Sequence, residues 1–338
     1  MAQSEDYRRR LQQSHGRIKI GDIMSKGSMR KAFGNTLVEI GKKNQNIAVV
    51  DADLSSSTKT DIFKEVFPEN FVDVGIAEQN LIGVSSGLAS TGKNVFASSF
   101  AVFETGRAYE IIRNMVCMAN LNVKLCATHA GLMTGPDGGT HQAIEDIAIM
   151  RVLPNMKVLV PADAHETAEM VRAMAEIDGP VYMRMVRDDV EDIHSEEYKF
   201  QLGKADVLRE GTDVTLIACG PMVHLALEAA DELENDDVSV RVVNMSSIKP
   251  LDEEAVIESA EKTKGIVTIE DHNIIGGLGS AVSEVVTEKS PAPVYKIGVR
   301  DVFGMSGKSE ELYSEYGLTV ETICSKALKV LALDRKIK

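Results

Sequence analysis

The run Ile47-Ala-Val-Val-Asp-Ala-Asp-Leu54 is apolar on both faces of a strand until it reaches Asp51 and Asp53. A continuously apolar strand suits a parallel sheet covered by helices on both sides. The flanking sequence agrees. From Ser28 to Lys43, Met29, Phe33, Leu37 and Ile40 recur at helical spacing. Further strand patterns cover Phe71–Gly75, Asn94–Phe100, Asn122–His129, Lys157–Pro161 and Val181–Met185. Helical patterns alternate with them over Glu78–Leu88, Ala101–Met118, from Ala143 onward, and over His165–Glu176. This alternation predicts a doubly wound α/β domain. A smaller α/β pattern follows, with strands at Val214–Ala218, Val238–Asn244, Gly265–Glu270 and Val294–Gly298 and helices over 221–234, 252–262, 278–288 and 319–333. Asp188 to Tyr198 carries six acidic residues without periodicity. The expected division is a polar arm over 1–23, a doubly wound domain over 24–187, an acidic linker over 188–202, and a second doubly wound domain over 203–338.

Composition narrows the class. The net charge of −14 argues against a nucleic-acid partner, whose phosphates demand a basic surface. No apolar run approaches the length of a membrane span, and the charged N-terminus does not read as a signal peptide. Cys117, Cys126, Cys219 and Cys324 are scattered and form neither a metal spacing nor a disulfide framework, which points to a reducing cytoplasm. On so acidic a chain, any phosphate site must be a local cluster of Arg, His or backbone amides.

Glu78 stands at a strand-to-helix turn, where the helix dipole favours a carboxylate. In open α/β sheets, ligands bind at such turns. An isolated Glu there only stabilises its helix. The string Gly75-Ile-Ala-Glu-Gln-Asn80, however, resembles the pyrimidine-domain motif of thiamine-diphosphate enzymes of the transketolase group. The resemblance implies that Glu78 hydrogen-bonds a ring nitrogen of the cofactor's aminopyrimidine and exchanges a proton there, which a Gln could not do. The cofactor carries the carbanion chemistry and the protein sets its tautomer and orientation.

Other stretches extend the resemblance. Phe100 and Phe103 lie where that family has a Phe-x-x-Phe wall for the pyrimidine ring, although Gly106 replaces a third aromatic often found one turn later. His129, then Gly135-Pro-Asp-Gly-Gly-Thr-His141, sets two histidines about a glycine-rich loop with Asp137 between them. Glycines let a backbone approach a ligand closely, and Asp137 and His141 suit sugar hydroxyls. The loop resembles the transketolase signature, in which positions matching His129, Asp137 and His141 contact the ketose donor and acceptor. Ala130 stands where full-length enzymes commonly have Asp. By the same resemblance Arg30, Ser57 and Arg187 hold the acceptor's terminal phosphate, for which Arg suits better than Lys. Asp53 matches a position near the thiazolium. Gly276-Gly-Leu-Gly279 reads as a weak phosphate turn, structural or regulatory in role.

One motif is missing. Enzymes of this group hold the diphosphate through Mg²⁺ bound by a Gly-Asp-Gly sequence and a downstream asparagine, and no Gly-Asp-Gly occurs in this chain. The resemblance therefore covers the pyrimidine and C-terminal domains alone. It implies the smaller subunit of a split transketolase, with thiamine diphosphate shared and the Mg²⁺ ligands on a separate N-terminal subunit. The expected assembly is an α2β2 heterotetramer moving a two-carbon ketol unit between sugar phosphates. The rivals are the beta subunit of a 2-oxo acid dehydrogenase complex, deoxyxylulose-phosphate synthase, and a non-catalytic regulatory protein derived from a transketolase half. The Gly-Pro-Asp-Gly-Gly-Thr-His-Gln loop favours transketolase over the first, and length speaks against the second.

Overall fold

The computed structural model describes residues 25–333, so the polar arm expected over 1–23 lies outside the described residues. The strands are β1 (Lys26–Gly27), β2 (Ile47–Asp51), β3 (Phe71–Asp73), β4 (Asn94–Ser98), β5 (Val123–Ala127), β6 (Lys157–Leu159) and β7 (Val181–Arg184). They continue with β8 (Val190–Glu191), β9 (Asp206–Arg209), β10 (Val214–Ala218), β11 (Val240–Asn244), β12 (Ser247–Lys249), β13 (Ile266–Asn273) and β14 (Val294–Val299). The main helices are α1 (Met29–Lys43), α2 (Glu78–Ser90), α3 (Ala164–Glu176), α4 (Met222–Glu234), α5 (Glu253–Lys262), α6 (Leu278–Lys289), α7 (Ser309–Glu315) and α8 (Val320–Leu331).

The first sheet runs β12-β6-β7-β5-β4-β2-β3 and the second β14-β13-β10-β11-β9. Both are parallel apart from one antiparallel edge strand each, β12 against β6 and β9 against β11. Every residue of β2, β4, β5, β7, β10 and β11 is buried, as strands between two helical layers must be. On α1, Phe33, Leu37 and Ile40 form the buried stripe read from the sequence, and Ser28 caps the helix by accepting the Lys31 amide at 3.4 Å.

Several elements depart from the sequence reading. β2 stops at Asp51 because its carboxylate accepts from the Leu54 amide (2.7 Å) and the Thr58 and Thr60 hydroxyls (2.8 and 2.9 Å), which turns the chain. β3 is a half-exposed edge strand rather than a buried one. The single helix expected over Ala101–Met118 is instead a short α-turn at Tyr109–Ile111 between wide π-turns, Val102–Arg107 and Ile112–Cys117. Such turns mark sites where packing overrides regular winding. β9, β12 and α7 were not read at all, being too short for periodicity to register.

β12 ties the halves together. It leaves the second domain to pair with β6, and the Lys249 ammonium caps the Arg151 and Leu153 carbonyls at 2.8 and 2.6 Å. One apolar cluster runs through both halves, joining Met150, Leu153 and Val160 to Ile217, Val243 and Leu278. Residues of the acidic connection are also anchored: β8 pairs with β1, and His194 is buried against α3. Among the described residues no helix is long and apolar enough to cross a membrane.

Candidate cofactor and substrate site

Because β2 through β5 and β7 run parallel, their carboxyl ends share one edge of the sheet. Loops from that edge bring most of the singled-out residues together. Glu78 opens α2 and is 2% exposed, yet the Arg107 side chain that donates to its Oε2 at 2.7 Å is 53% exposed. The Arg107 guanidinium also lies 5.1 Å over the Phe103 ring. Cation–π contacts of this kind favour the charged group over the ring face. Thus the place of the absent third aromatic is taken by a cation one residue after Gly106.

A bridge between Phe100 and Thr128 draws the ends of β4 and β5 together. The Phe100 and Phe103 rings are near parallel at 6.0 Å, and His129 stacks on Phe100 at 3.8 Å. His141 meets Phe103 edge-on at 5.1 Å. Four rings therefore cluster at this edge, and Arg107 links them to the Glu78 carboxylate. A flat heteroaromatic ring with a basic nitrogen fits this donor set, stacking on carbon faces while offering the nitrogen to Glu78.

Beside the rings lies a cationic group. Arg30, half-buried at the start of α1, donates to the Ser57 carbonyl at 2.7 Å, while its buried Nε has no hydrogen-bond partner. Arg187 donates to the Thr134 carbonyl at 2.9 Å and sits 3.7 Å from the Asp137 carboxylate. Burial and the neighbouring Arg187 lower the Arg30 guanidinium. Burial, then Arg30, Arg187 and His141, press His129 down to about 3, so its imidazole is neutral near pH 7. A neutral imidazole can donate to a ligand hydroxyl without adding charge, and the two guanidinia present an anion site. Ser57 joins through its carbonyl. Asp53 stands apart: it is exposed, in the left-handed conformation (φ 62°), with its amide on Asp73 at 3.1 Å.

Two groups were missed. Arg107 is one, and the Phe103–Arg107 spacing of four was the available signal. The other is Glu104, fully buried in the first π-turn with no side-chain partner for either carboxyl oxygen. Burial, then the charge of Asp51, pushes its carboxyl well above the usual range, which favours the neutral form. Three of the four glycines of the loop also serve differently than expected. A methyl on Gly131 would overlap Asp271, on Gly138 it would overlap Ser306, and on Gly139 the Gly304 carbonyl. It is the second domain, not a ligand, that approaches these positions closely.

The Gly276–Gly279 turn is filled from within, since Glu270 accepts the Leu278 and Gly279 amides at 2.7 and 2.8 Å. Among the described residues, the His and carboxylate group with metal-ligand spacing is Glu166, His194 and Asp206. Its carboxylates already accept from Tyr198 and Asn244 at the domain junction.

Fold and site define the chain as a two-domain α/β protein that gathers a buried carboxylate, aromatic rings and cations at the carboxyl edge of its larger sheet. Residues 25–192 match the family model "Transketolase, pyrimidine binding domain", and residues 203–323 match "Transketolase, C-terminal domain". The chain belongs to the transketolase family. It is 50% identical to a chain named as a transketolase C-terminal section in Methanocaldococcus jannaschii, over 89% of this chain and 95% of that one. It is 41% identical to a 6-deoxy-6-sulfo-D-fructose transketolase subunit of a Clostridium species, over 89% of this chain and 94% of that one. The solved structure of a split-gene transketolase, described as an inactive beta4 tetramer, superimposes with a TM-score of 0.86 at 52% identity, covering 91% of this chain and all of that one.

Proposed function

We propose that this chain is the C-terminal subunit of a two-chain, thiamine-diphosphate-dependent transketolase of the cytoplasm, transferring a two-carbon ketol unit from a ketose phosphate to an aldose phosphate. The observation that carries the reading is the buried Glu78 carboxylate, joined through Arg107 to Phe103 in a cluster of the Phe100, Phe103, His129 and His141 rings at one sheet edge. Thiamine diphosphate, when bound, supplies the thiazolium carbon that stabilises a carbanion.

The chain's residues supply the rest. Glu78 holds and returns a proton at a pyrimidine nitrogen, with Arg107 swung toward solvent to free its Oε2. Phe100 and Phe103 fix the ring plane. Neutral His129, with His141 and Asp137, orients sugar hydroxyls and moves their protons. Arg30 and Arg187 take the sugar's anionic end, with Ser57 positioning Arg30. Asp53, exposed just beyond the end of β2 and apart from the ring cluster, would favour the positive thiazolium only from a distance. The Mg²⁺ ligands belong to the N-terminal partner in an α2β2 assembly. Relatives named as subunits or sections, and a relative inactive as a beta4 tetramer, support a site completed by another chain.

The test is reconstitution with a partner that carries Gly-Asp-Gly, assayed with sugar phosphates. Ketol transfer by the mixture supports the reading. Decarboxylation of 2-oxo acids without ketol transfer would replace it with the dehydrogenase-subunit reading.

A further inference from the structure

The loop following His129 carries Asp137 and His141, but its shape is set largely by the second domain. At the carboxyl end of β13, Asp271 spreads both carboxylate oxygens over the Leu132 amide, at 3.0 and 3.1 Å. Its Oδ2 also accepts the Tyr313 hydroxyl at 3.0 Å, and its own carbonyl accepts Arg184 Nη2 at 2.7 Å. Arg184 is locked in turn by Asp146, which accepts its Nε at 2.7 Å and the Tyr182 hydroxyl at 2.5 Å. Asp271, Arg184 and Asp146 are all 2% exposed or less, so each contact is made without competing water.

Further along the loop, Gln142 Nε2 donates to the Met305 carbonyl at 2.9 Å. Gly138 and Gly139 lie so close to Ser306 and Gly304 that no side chain fits between them. From Leu132 the constraint reaches the site in two short steps. The Thr134 hydroxyl donates to the His129 carbonyl at 2.6 Å, and the Thr134 carbonyl accepts Arg187 at 2.9 Å. His129 is itself held at φ 56°, a left-handed conformation that a non-glycine residue keeps only when its surroundings impose it.

We infer that the second domain is the template for the sugar-binding loop, with Asp271 as the positioning residue that sets Leu132 and, through Thr134, His129 and Arg187. This role rests on reading the loop as the sugar-phosphate site. It explains why the loop spends glycines on a protein surface, and it gives the second domain a function in substrate affinity while leaving the cofactor site to the first. Asp271 touches no reacting atom. Its contribution is a fixed loop geometry, which remote substitutions can disturb at large cost in rate.

The experiment compares wild type with Asp271→Asn, Asp271→Ala and Tyr313→Phe in the full-length chain, alone and reconstituted with its partner. Hydrogen exchange on the chain alone reads the loop without any activity. Amides from Leu132 to His141 should exchange about tenfold faster in Asp271→Ala, with β4 and β5 unchanged, as expected of a local opening. Asp271→Asn keeps one acceptor for the Leu132 amide and should fall between the two. In the complex, KM for both sugars should rise about tenfold while kcat stays within about threefold, the pattern of lost substrate positioning. Half-saturation by thiamine diphosphate should not move. Unchanged loop exchange in both Asp271 variants would overturn the inference, and so would a KM that stays put while cofactor affinity falls. Should Asp271→Ala not fold, Tyr313→Phe decides, since it removes one donor and should loosen the same amides to a smaller degree. Absence of ketol transfer in the wild-type complex would instead sink the functional reading, and the exchange experiment would still judge the loop.

Discussion

At the scale of single residues, Glu78 and Glu104 are both buried but held in opposite ways. Glu78 has a cationic partner whose own side chain is half in water, so the pair can open without breaking the core. Glu78→Gln keeps the shape and a hydrogen bond but cannot exchange a proton. In the reconstituted complex it should cost at least about a hundredfold in kcat, the scale of general acid–base catalysis, with melting temperature little changed. Activity near wild type would remove Glu78 from the chemistry. Glu104 has no charged partner, and the Ser99 amide offsets only a little of its burial. Its folded-state value lies above its ordinary 4.5, so the protonated form favours the fold and stability drains away as pH rises from 4.5 toward the folded-state value. Glu104→Met removes both the unpaired acid and this drain. It should stabilise the chain by about 1–3 kcal/mol near pH 8, the cost of an unsatisfied buried polar group, and by less near pH 4. Denaturant titrations at the two pH values check this, and a larger gain on the acid side would contradict it.

At the scale of elements, the junction between the domains is electrostatic as much as apolar. Asp163 caps α3 by accepting the Glu166 amide at 2.8 Å and binds His194 Nδ1 at 2.8 Å, while Tyr198 bridges Glu166 to Asp206. Burial alone would lower the His194 imidazole, but Glu166, Asp163 and Asp206 together raise it to about 9. A histidine raised above its ordinary 6.5 contributes its full stability below that value and loses it as pH climbs through 9. Stability should therefore fall between about pH 6.5 and 9 in wild type, and less so in His194→Gln. Equal slopes in the two proteins would mean that His194 is not the group responsible. This junction also shows where sequence reading stops. The long apolar strands and α1 were legible because burial on both faces, or on one helical stripe, leaves a period in the residues. β12, three residues long, leaves none, and its partner β6 is remote in sequence. The site residues were legible as types within motifs. Asp271 was not, since its role comes from side chains meeting across the fold, and Arg107 showed only in its spacing of four from Phe103, its pairing with Glu78 being made across the fold.

At the scale of the whole molecule, the cluster around Glu78 is exposed along part of its edge. Ile76, two residues before Glu78, is 78% exposed, and the Arg107 side chain paired with Glu78 is 53% exposed. An exposed apolar side chain next to Glu78 and a half-exposed cation on its carboxylate would be covered if a second chain docked on this edge. The chain also lacks any Gly-Asp-Gly, and a net charge of −14 gives it no general attraction for diphosphate. Both arguments lead to the same expectation: alone, the chain binds thiamine diphosphate and Mg²⁺ weakly and transfers no ketol unit. Pulled from native lysate at mild salt, it should bring down a stoichiometric partner bearing Gly-Asp-Gly with a downstream asparagine. That complex should then bind the cofactor and act on sugar phosphates. Mass spectrometry of the captured partner and the mass of the complex in solution read the outcome directly. Recovery of the chain alone, as a homodimer that still binds cofactor and metal tightly, would sink the split-site reading. It would also place the missing diphosphate ligands within this sequence, at positions where no motif marks them.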